Sequence, residues 1–234
     1  MKNKIFLYND KVGFVEYVEH MGSDLTIVNS ARVSFGKHKK ILDSRDAKLI
    51  SYLIKNRHTS TLEHNVVTFR FKVPLYVRSQ DHRHRTWSYN EISRRYTDDN
   101  LQFYEPSEFR TQHKSNRQAS NDEELINPII DLYSPVSIKP LKVSAEKLVK
   151  NFHLDALGMY DNLIEAGVCR EQARGLLPQN LYTEYYGTVN LNNLIKFLSL
   201  RLDDHAQWEI RKVAEACKKI ATNLWPISMG YFKI

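Results

Sequence analysis

VVTFRFKVPLYVRSQDHRHRTWSYNEISRRY, residues 66–96, is the stretch whose reading decides the fold. It opens on strict alternation. Val67, Phe69, Phe71 and Val73 lie to one side, and Thr68, Arg70 and Lys72 to the other. A period of two with one apolar side predicts a half-buried strand. Pro74 suits the first turn of a helix, which would carry Arg78 to Arg85. The segment from Arg83 to Tyr96 would then straddle the end of that helix and the loop after it. It holds Arg83, Arg85, Arg94, Arg95 and His84 against a single acid, Glu91, with Trp87, Tyr89 and Tyr96 interleaved.

Residues 4–18 read as a hairpin turning at Asn9–Asp10. A short helix starts near Ser23 or Asp24, and Leu49, Ile50, Leu53 and Ile54 give a helical face over 46–55. Residues 105–140 are polar and carry Pro106, Pro128, Pro135 and Pro140. They predict a long excursion with little regular structure, a binding loop or a merely mobile insertion. Ser144 is placed to cap a helix marked by Leu148, Phe152, Ala156, Tyr160 and Leu163 that stops near Gly167. A shorter helix runs from about Arg170 to before Pro178. Leu191, Leu194, Ile195, Leu198 and Leu202 line another. Ile210, Val213, Ala214, Cys217, Ala221 and Leu224 line the last, with a stop at Pro226. No repeat or linker interrupts this order, so the expectation is one α+β domain over residues 1–234.

The chain has 234 residues, 42% hydrophobic and 26% charged, values of an ordinary soluble globular protein. No apolar run approaches the ~20 residues of a membrane span. The N-terminal apolar stretch is too short for a secretory signal, and a cytoplasmic location is expected. Cys169 and Cys217 form no CxxC and no metal-ligand spacing, so buried reduced thiols and no metal site are expected. The net charge of +7 favours anionic ligands, and much of it is local, in 78–96 and 110–117.

An arginine presents a planar fork of donors that matches a phosphate or a carboxylate, and it stays charged. Ser88, Asn90 and Ser93 add neutral donors and acceptors, while Trp87, Tyr89 and Tyr96 could stack on a planar ring. The set suits a ligand with a phosphate at one end and a heterocycle at the other. Two other readings of the same residues stand beside it. One is a solvated basic helix and loop. The other is a nucleic-acid-binding surface, since basic residues interleaved with aromatics also suit single strands, although no RRM, KH or zinc-finger pattern is present.

Arg83, His84, Arg85, Ser88, Asn90, Ser93, Arg95 and Tyr96 together fit RHRxxSxNxxSxRY, and this pattern resembles the signature of the flavin-dependent thymidylate synthases. GSDLTIVNSARVS (22–34), RHTSTLEHNVVTFRF (57–71), EAGVCREQARGLLPQNLYTEYYGTVN (165–190) and LRLDDHAQWEIR (200–211) resemble further segments of that family, in its order. The resemblance implies a curved, mostly antiparallel sheet with flanking helices, and a homotetramer with active sites shared between subunits. It implies FAD as cofactor, with NADPH and methylenetetrahydrofolate as co-substrates in the conversion of dUMP to dTMP. Nucleic acid and membrane are not expected partners.

Roles follow from the resemblance position by position. Arg83, His84 and Arg85 would contact FAD, as would His58, Ser60, Glu91, Asn190, Asn192, Lys196 and His205, with Glu63 lining the flavin pocket. The dUMP side would be the runs Gln80 to Arg83 and Glu91 to Arg95, the latter with Ser93 and Arg94, together with Arg174 and Arg201. Arg201 matches the residue that would ionise the uracil N3, and His205, one helical turn later, could face the same pocket. Taken singly, several of these have ordinary alternatives: Ser60 could cap a turn, Arg174 could pair with Glu171, Asn190 could be an N-cap and His205 a structural histidine. The chain departs from the family pattern at Asp81–His82, where an aromatic pair is common. It also departs at Asn192, where many members have Arg, and at Lys196, where many have Asn. Ser93 has no evident base to activate it and is assigned to substrate binding.

Overall fold

Val67, Phe69, Phe71 and Val73 are fully buried in the computed structural model of the chain, which describes residues 4–116, 119–133 and 139–232. Their strand, Val66–Pro74, is the third of a five-stranded sheet. It follows β1 (Lys4–Phe6) and β2 (Phe14–Met21), so it is β3. The sheet runs in the order β1-β2-β3-β9-β4, where β4 is Ser88–Glu91 and β9 is Tyr182–Asn190. The pairs β1·β2, β2·β3 and β4·β9 are antiparallel. Alternation on β3 makes one side core and leaves the other for charge. On that other side Arg70 bridges Glu16 of β2 at 3.1 Å and Glu184 of β9 at 2.6 Å.

The described chain divides into two compact units, residues 1–72, 79–91 and 184–234 in the first and residues 73–78 and 92–183 in the second. In the first, α1 (Asp24–Arg32) and α2 (Ser44–Lys55) come after β2. Asp46 of α2 is fully buried and takes charged hydrogen bonds from Arg32 at 2.7 Å and from Lys39. Burial raises its pKa, but the Lys39, Asp43 backbone and Arg32 contacts outweigh this and hold it at about 2. After β9 come α6 (Leu191–Arg201), α7 (Trp208–Leu224) and α8 (Pro226–Tyr231). Asp24 of α1 accepts from the backbone N–H groups of Ile227 and Ser228, each at 3.0 Å. It thus satisfies donors that the first turn of α8 leaves without helical partners. Pro226 therefore opens a short helix as well as ending α7, which the sequence reading took only as a stop.

The core of the first unit carries an aromatic cluster. Phe71 stacks on Tyr185 of β9 at 4.9 Å, and Trp87 lies 6.2 Å from Phe69 and 5.3 Å from Phe197 of α6. Room for the Trp87 ring comes from Gly187, opposite Tyr89 across the β4·β9 ladder. A Cβ there would lie 2.9 Å from Phe71 and 3.2 Å from Trp87.

In the second unit, α4 (Ala145–Glu165) starts at the Ser144 N-cap, whose side chain accepts from the Lys147 N–H, and its C-cap, Ala166, is followed by Gly167 with φ +87°. Its buried face is His153, Ala156 and Tyr160, while Phe152 is exposed, contrary to the expected stripe. His153 takes the core place by stacking on Phe103 at 4.7 Å and bonding Glu105 at 2.8 Å. The short helix α5 (Arg170–Ala173) continues into a 3-10 turn, Arg174–Leu176.

Two other expectations are corrected. The polar excursion is not irregular: it folds as two antiparallel pairs, β5 (Phe109–Gln112) with β6 (Ser120–Ile126), and β7 (Ile129–Leu132) with β8 (Leu141–Ser144). Their side chains are largely exposed, so no core-facing alternation marks them. Arg117 and Pro135 lie outside the described residues. The helix after β3, α3, is Leu75–Asp81 and stops short of Arg83. No helix among the described residues is long and apolar enough to cross a membrane.

Substituting Gly187→Ala should cost about 1–3 kcal/mol, the scale of overpacking a core. The expected readout is a thermal midpoint lower by roughly 2–4 °C per kcal/mol.

Candidate active site

The chain turns as soon as α3 ends. The His84 N–H donates to the Asp81 carbonyl at 2.9 Å and the Trp87 N–H to the His84 carbonyl at 3.3 Å. Trp87 is buried in the aromatic cluster, and Ser88 begins β4. This turn leaves Arg83 and Arg85 exposed and His84 half-buried. The arginines are thus presented by a turn anchored on both sides, not by the helix that Pro74 suggested.

Arg201 reaches this turn from the last position of α6. Its Nε–H donates to His84 Nε2 at 3.1 Å and an Nη2–H donates to the Gln80 carbonyl at 2.8 Å. His84 Nε2 is therefore an acceptor, which places the proton of the neutral ring on Nδ1. Burial, reinforced by the Arg201 charge, depresses the His84 pKa to about 4. The ring packs edge-on against Phe197 at 4.9 Å, which fixes its plane. Arg201 is half-buried, and burial lowers its pKa. The Asp81 charge opposes that effect and the Arg83 charge adds to it. Two cations within electrostatic reach, Arg83 and Arg201, make a locus that an anion relieves. Arg83 and Arg85 have no ion-pair partner among the described residues, and Arg201 retains donors beyond the two it uses internally. This donor set fits phosphate and an electron-rich ring edge.

Other expected residues of the first unit take several kinds of place. His58 and Ser60 are exposed, and the His58 ring meets Tyr52 edge-on at 5.8 Å. Asn192 is buried and its amide donates to Glu63 at 2.9 Å, so its side chain is committed to internal packing. Asn190 is the N-cap of α6, accepting from the Asn193 N–H at 2.9 Å. Lys196 is exposed and donates to Asn193 at 3.2 Å. Glu91 ends β4 opposite Tyr185. His205 departs from expectation: α6 ends at Arg201, so the helical spacing between the two does not exist. Its ring is 75% exposed and bonds Asp203 at 2.8 Å.

In the second unit, Ser93 Oγ accepts from the Arg95 N–H at 3.3 Å, and Arg94 donates to the Asp99 carbonyl at 2.8 Å. Arg95 donates to the Tyr96 hydroxyl at 3.2 Å. Arg174 is exposed in the 3-10 turn and donates to the Glu171 backbone carbonyl at 3.3 Å, not to the Glu171 carboxylate.

The fold places the two thiols in different surroundings. Cys217 is fully buried in α7, and burial pushes its pKa well up. Cys169 is exposed at the start of α5, contrary to the expectation of burial, and its Sγ contacts Gln172 Oε1 at 3.7 Å. No group of three or more His, Cys, Asp or Glu is placed to hold a metal among the described residues. Asp81, expected only as part of the run Gln80 to Arg83 on the dUMP side, is fully buried and bonded to the Tyr185 hydroxyl at 2.6 Å. The available signal was an acid standing inside a basic segment where the family pattern favours an aromatic residue.

Over residues 16–227 the chain matches the family described as thymidylate synthase complementing protein. It is 43% identical over 225 residues to a flavin-dependent thymidylate synthase of Thermus thermophilus, covering 94% of this chain and 76% of the relative. It is 41% identical over 222 residues to that of Thermosipho melanesiensis, covering 94% and 90%. Among solved structures, the UMP/dUMP methylase PolB of Streptomyces cacaoi bound with 5-Br dUMP is similar with a TM-score of 0.78 and 30% identity, covering 97% of each chain. The same methylase bound with 5-Br UMP gives a TM-score of 0.73.

The Arg201 contact has a direct spectroscopic consequence. In histidine-labelled protein, His84 should be the Nδ1–H tautomer and titrate near pH 4, where burial and Arg201 hold it. A midpoint at the ordinary histidine value, about 6.5, would mean that Arg201 does not occupy its Nε2.

Proposed function

The chain belongs to the flavin-dependent thymidylate synthases, and on that premise we propose that it converts dUMP to dTMP. Methylenetetrahydrofolate is the carbon donor, NADPH the reductant and FAD the bound cofactor. The observation that carries this reading is the Arg201 guanidinium held on the Arg83–Arg85 turn by His84 and the Gln80 carbonyl. With the family established, the basic segment is assigned to a nucleotide and not to a nucleic-acid strand.

The chemical problem is that pyrimidine C5 is a weak nucleophile until electron density enters the ring. Arg201 addresses it electrostatically. Its remaining N–H donors face negative charge developing at N3 and the adjacent carbonyl oxygen, and they are already oriented before the reaction. Neutral His84 accepts from Arg201 and so adds no competing positive charge. Arg83 meets the nucleotide's anionic end, assisted by Gln80, Glu91, Ser93, Arg94, Arg95 and Arg174 in dUMP binding. His58, Ser60, His84, Arg85, Asn190 and Lys196 would hold FAD, with Glu63 and Asn192 bonded to one another behind them. When bound, FAD supplies the hydride that completes the methyl group; the protein contributes position and field. Cys217 takes no covalent part, because a buried thiol of raised pKa is a poor source of thiolate. A homotetramer, with each site drawing residues from several subunits, completes the reading.

Turnover is tested with dUMP, methylenetetrahydrofolate and NADPH on FAD-loaded protein, with UMP in parallel to fix the sugar preference. Arg201→Ala should lower dTMP formation by ~100-fold or more, the scale for losing a preorganised charge-stabilising donor. Arg201→Lys should recover little, since a point charge does not reproduce the planar contact. A Cys169→Ala, Cys217→Ala double variant should retain substantial turnover. A double variant that folds and holds flavin but forms no dTMP would overturn this mechanism.

Assembly is checked by light scattering. The expected mass is four times the 27.5 kDa of one chain. A fully active monomer would exclude shared sites.

A further inference from the structure

One ionisable group at this turn has no place in the mechanism above. Asp81 is 0% exposed at the end of α3. Its Oδ2 accepts from the Tyr185 hydroxyl at 2.6 Å, and its carbonyl accepts from the Tyr89 hydroxyl at 3.0 Å. Its Oδ1 is buried with no hydrogen-bond partner among the described residues. Leaving a buried carboxylate oxygen unpaired is costly, and a packing role does not explain it, because an apolar residue would fill the space without that cost. The position also follows Gln80, whose carbonyl Arg201 grips, and the Asp81 and Arg201 charges act on one another.

We propose that Asp81 is a positioning residue: its buried negative charge retains the half-buried Arg201 guanidinium against the Gln80 carbonyl and His84, in the place where it meets the pyrimidine. This deepens the functional reading given above and rests on it. The physical need is clear from the charges present. Arg201 is partly desolvated and repelled by Arg83, and Asp81 opposes both effects. Without it, the guanidinium is driven toward solvent.

The groups that act on the carboxylate come from each neighbouring element: Tyr89 from β4, Tyr185 from β9, Arg201 from α6 and Cys217 from α7. Burial raises the Asp81 pKa, the Tyr185, Arg201 and Tyr89 contacts lower it, and the balance is about 6. Asp81 is therefore ionised at neutral pH and neutral in mild acid. The folded value lies above the ordinary aspartate value of 3.8. The protonated group's contribution to stability is thus fully present below that value and lost as pH rises through about 6.

The test is Asp81→Asn, which keeps the shape and an acceptor for Tyr185 but removes the charge. Calorimetric titration of FAD-loaded protein with dUMP should show affinity weaker by about tenfold at pH 8, the scale of one pK unit of coupling. The ratio of wild-type to variant affinity cancels the titration of the nucleotide phosphate. It should fall toward one as pH drops below about 5, where the wild-type carboxylate is itself neutral. The thermal midpoint of the Asn variant should exceed that of wild type at neutral pH and converge with it near pH 4, opposite to the loss expected of a purely structural residue. Tyr185→Phe, which keeps the ring and removes the donor, should move the pH step upward and guards against an Asn variant that fails to fold. Equal dUMP affinity at pH 8, or a ratio independent of pH, overturns the role of Asp81 alone. Wild-type protein that holds flavin but binds no dUMP overturns the functional reading and this proposal with it.

Discussion

The packing of Trp87 over Gly187 is the constraint on which the site depends. A turn rich in arginine has no reason of its own to hold one shape, because its charges repel and its side chains prefer water. Here the turn is anchored at one end by α3 and at the other by a large ring sunk among Phe69, Phe71 and Phe197. Burying such a ring contributes on the order of 2–3 kcal/mol, enough to hold a few residues of charged turn in place. The absence of a side chain at Gly187 is what lets β4 and β9 carry an aromatic layer this close to the ladder. Rigidity is thus borrowed from the core and delivered to polar groups at its edge.

Electrostatics at the turn follows a related logic. Arg201 donates to a neutral histidine and a carbonyl, partners that orient it without neutralising it. Its positive charge stays available to a ligand. The opposing charge that acts on it, Asp81, is fully buried, so it does not meet a ligand in solvent as a competing anion. By contrast, the exposed ion pairs elsewhere, such as Lys212–Glu215 and Lys150–Glu146, contribute little, as surface pairs do.

The sequence discloses elements well where one face is apolar. The alternation of β3, the capped starts of α1 and α4, and the stripes of α6 and α7 all lie where expected, because burial imposes the period that sequence reading detects. It discloses them poorly where that period is missing. Strand β4 is SYNE, polar throughout, and is a strand only because β9 offers it a ladder. The β5·β6 and β7·β8 pairs are exposed, so nothing in their composition separates them from loop. Phe152 looked like core by spacing, yet His153 holds that place because Phe103 and Glu105 satisfy both its face and its nitrogen.

The sequence by itself determined the family, through fixed residues over 83–96, and with it the kind of ligand the chain is built to take. It also determined which residues carry positive charge and which strands and helices have a buried face, since both are properties of side-chain type and spacing. Only the tertiary structure decided that Arg201 meets His84 and Gln80, more than a hundred residues away. It alone decided that Asn192 turns inward to Glu63, that His205 leaves the helix of Arg201, and that Asp81 is buried beside Tyr185. The physical reason is common to these cases. Protonation state, desolvation and hydrogen-bond partner depend on which distant groups arrive at the same place, and linear spacing carries no information about arrival.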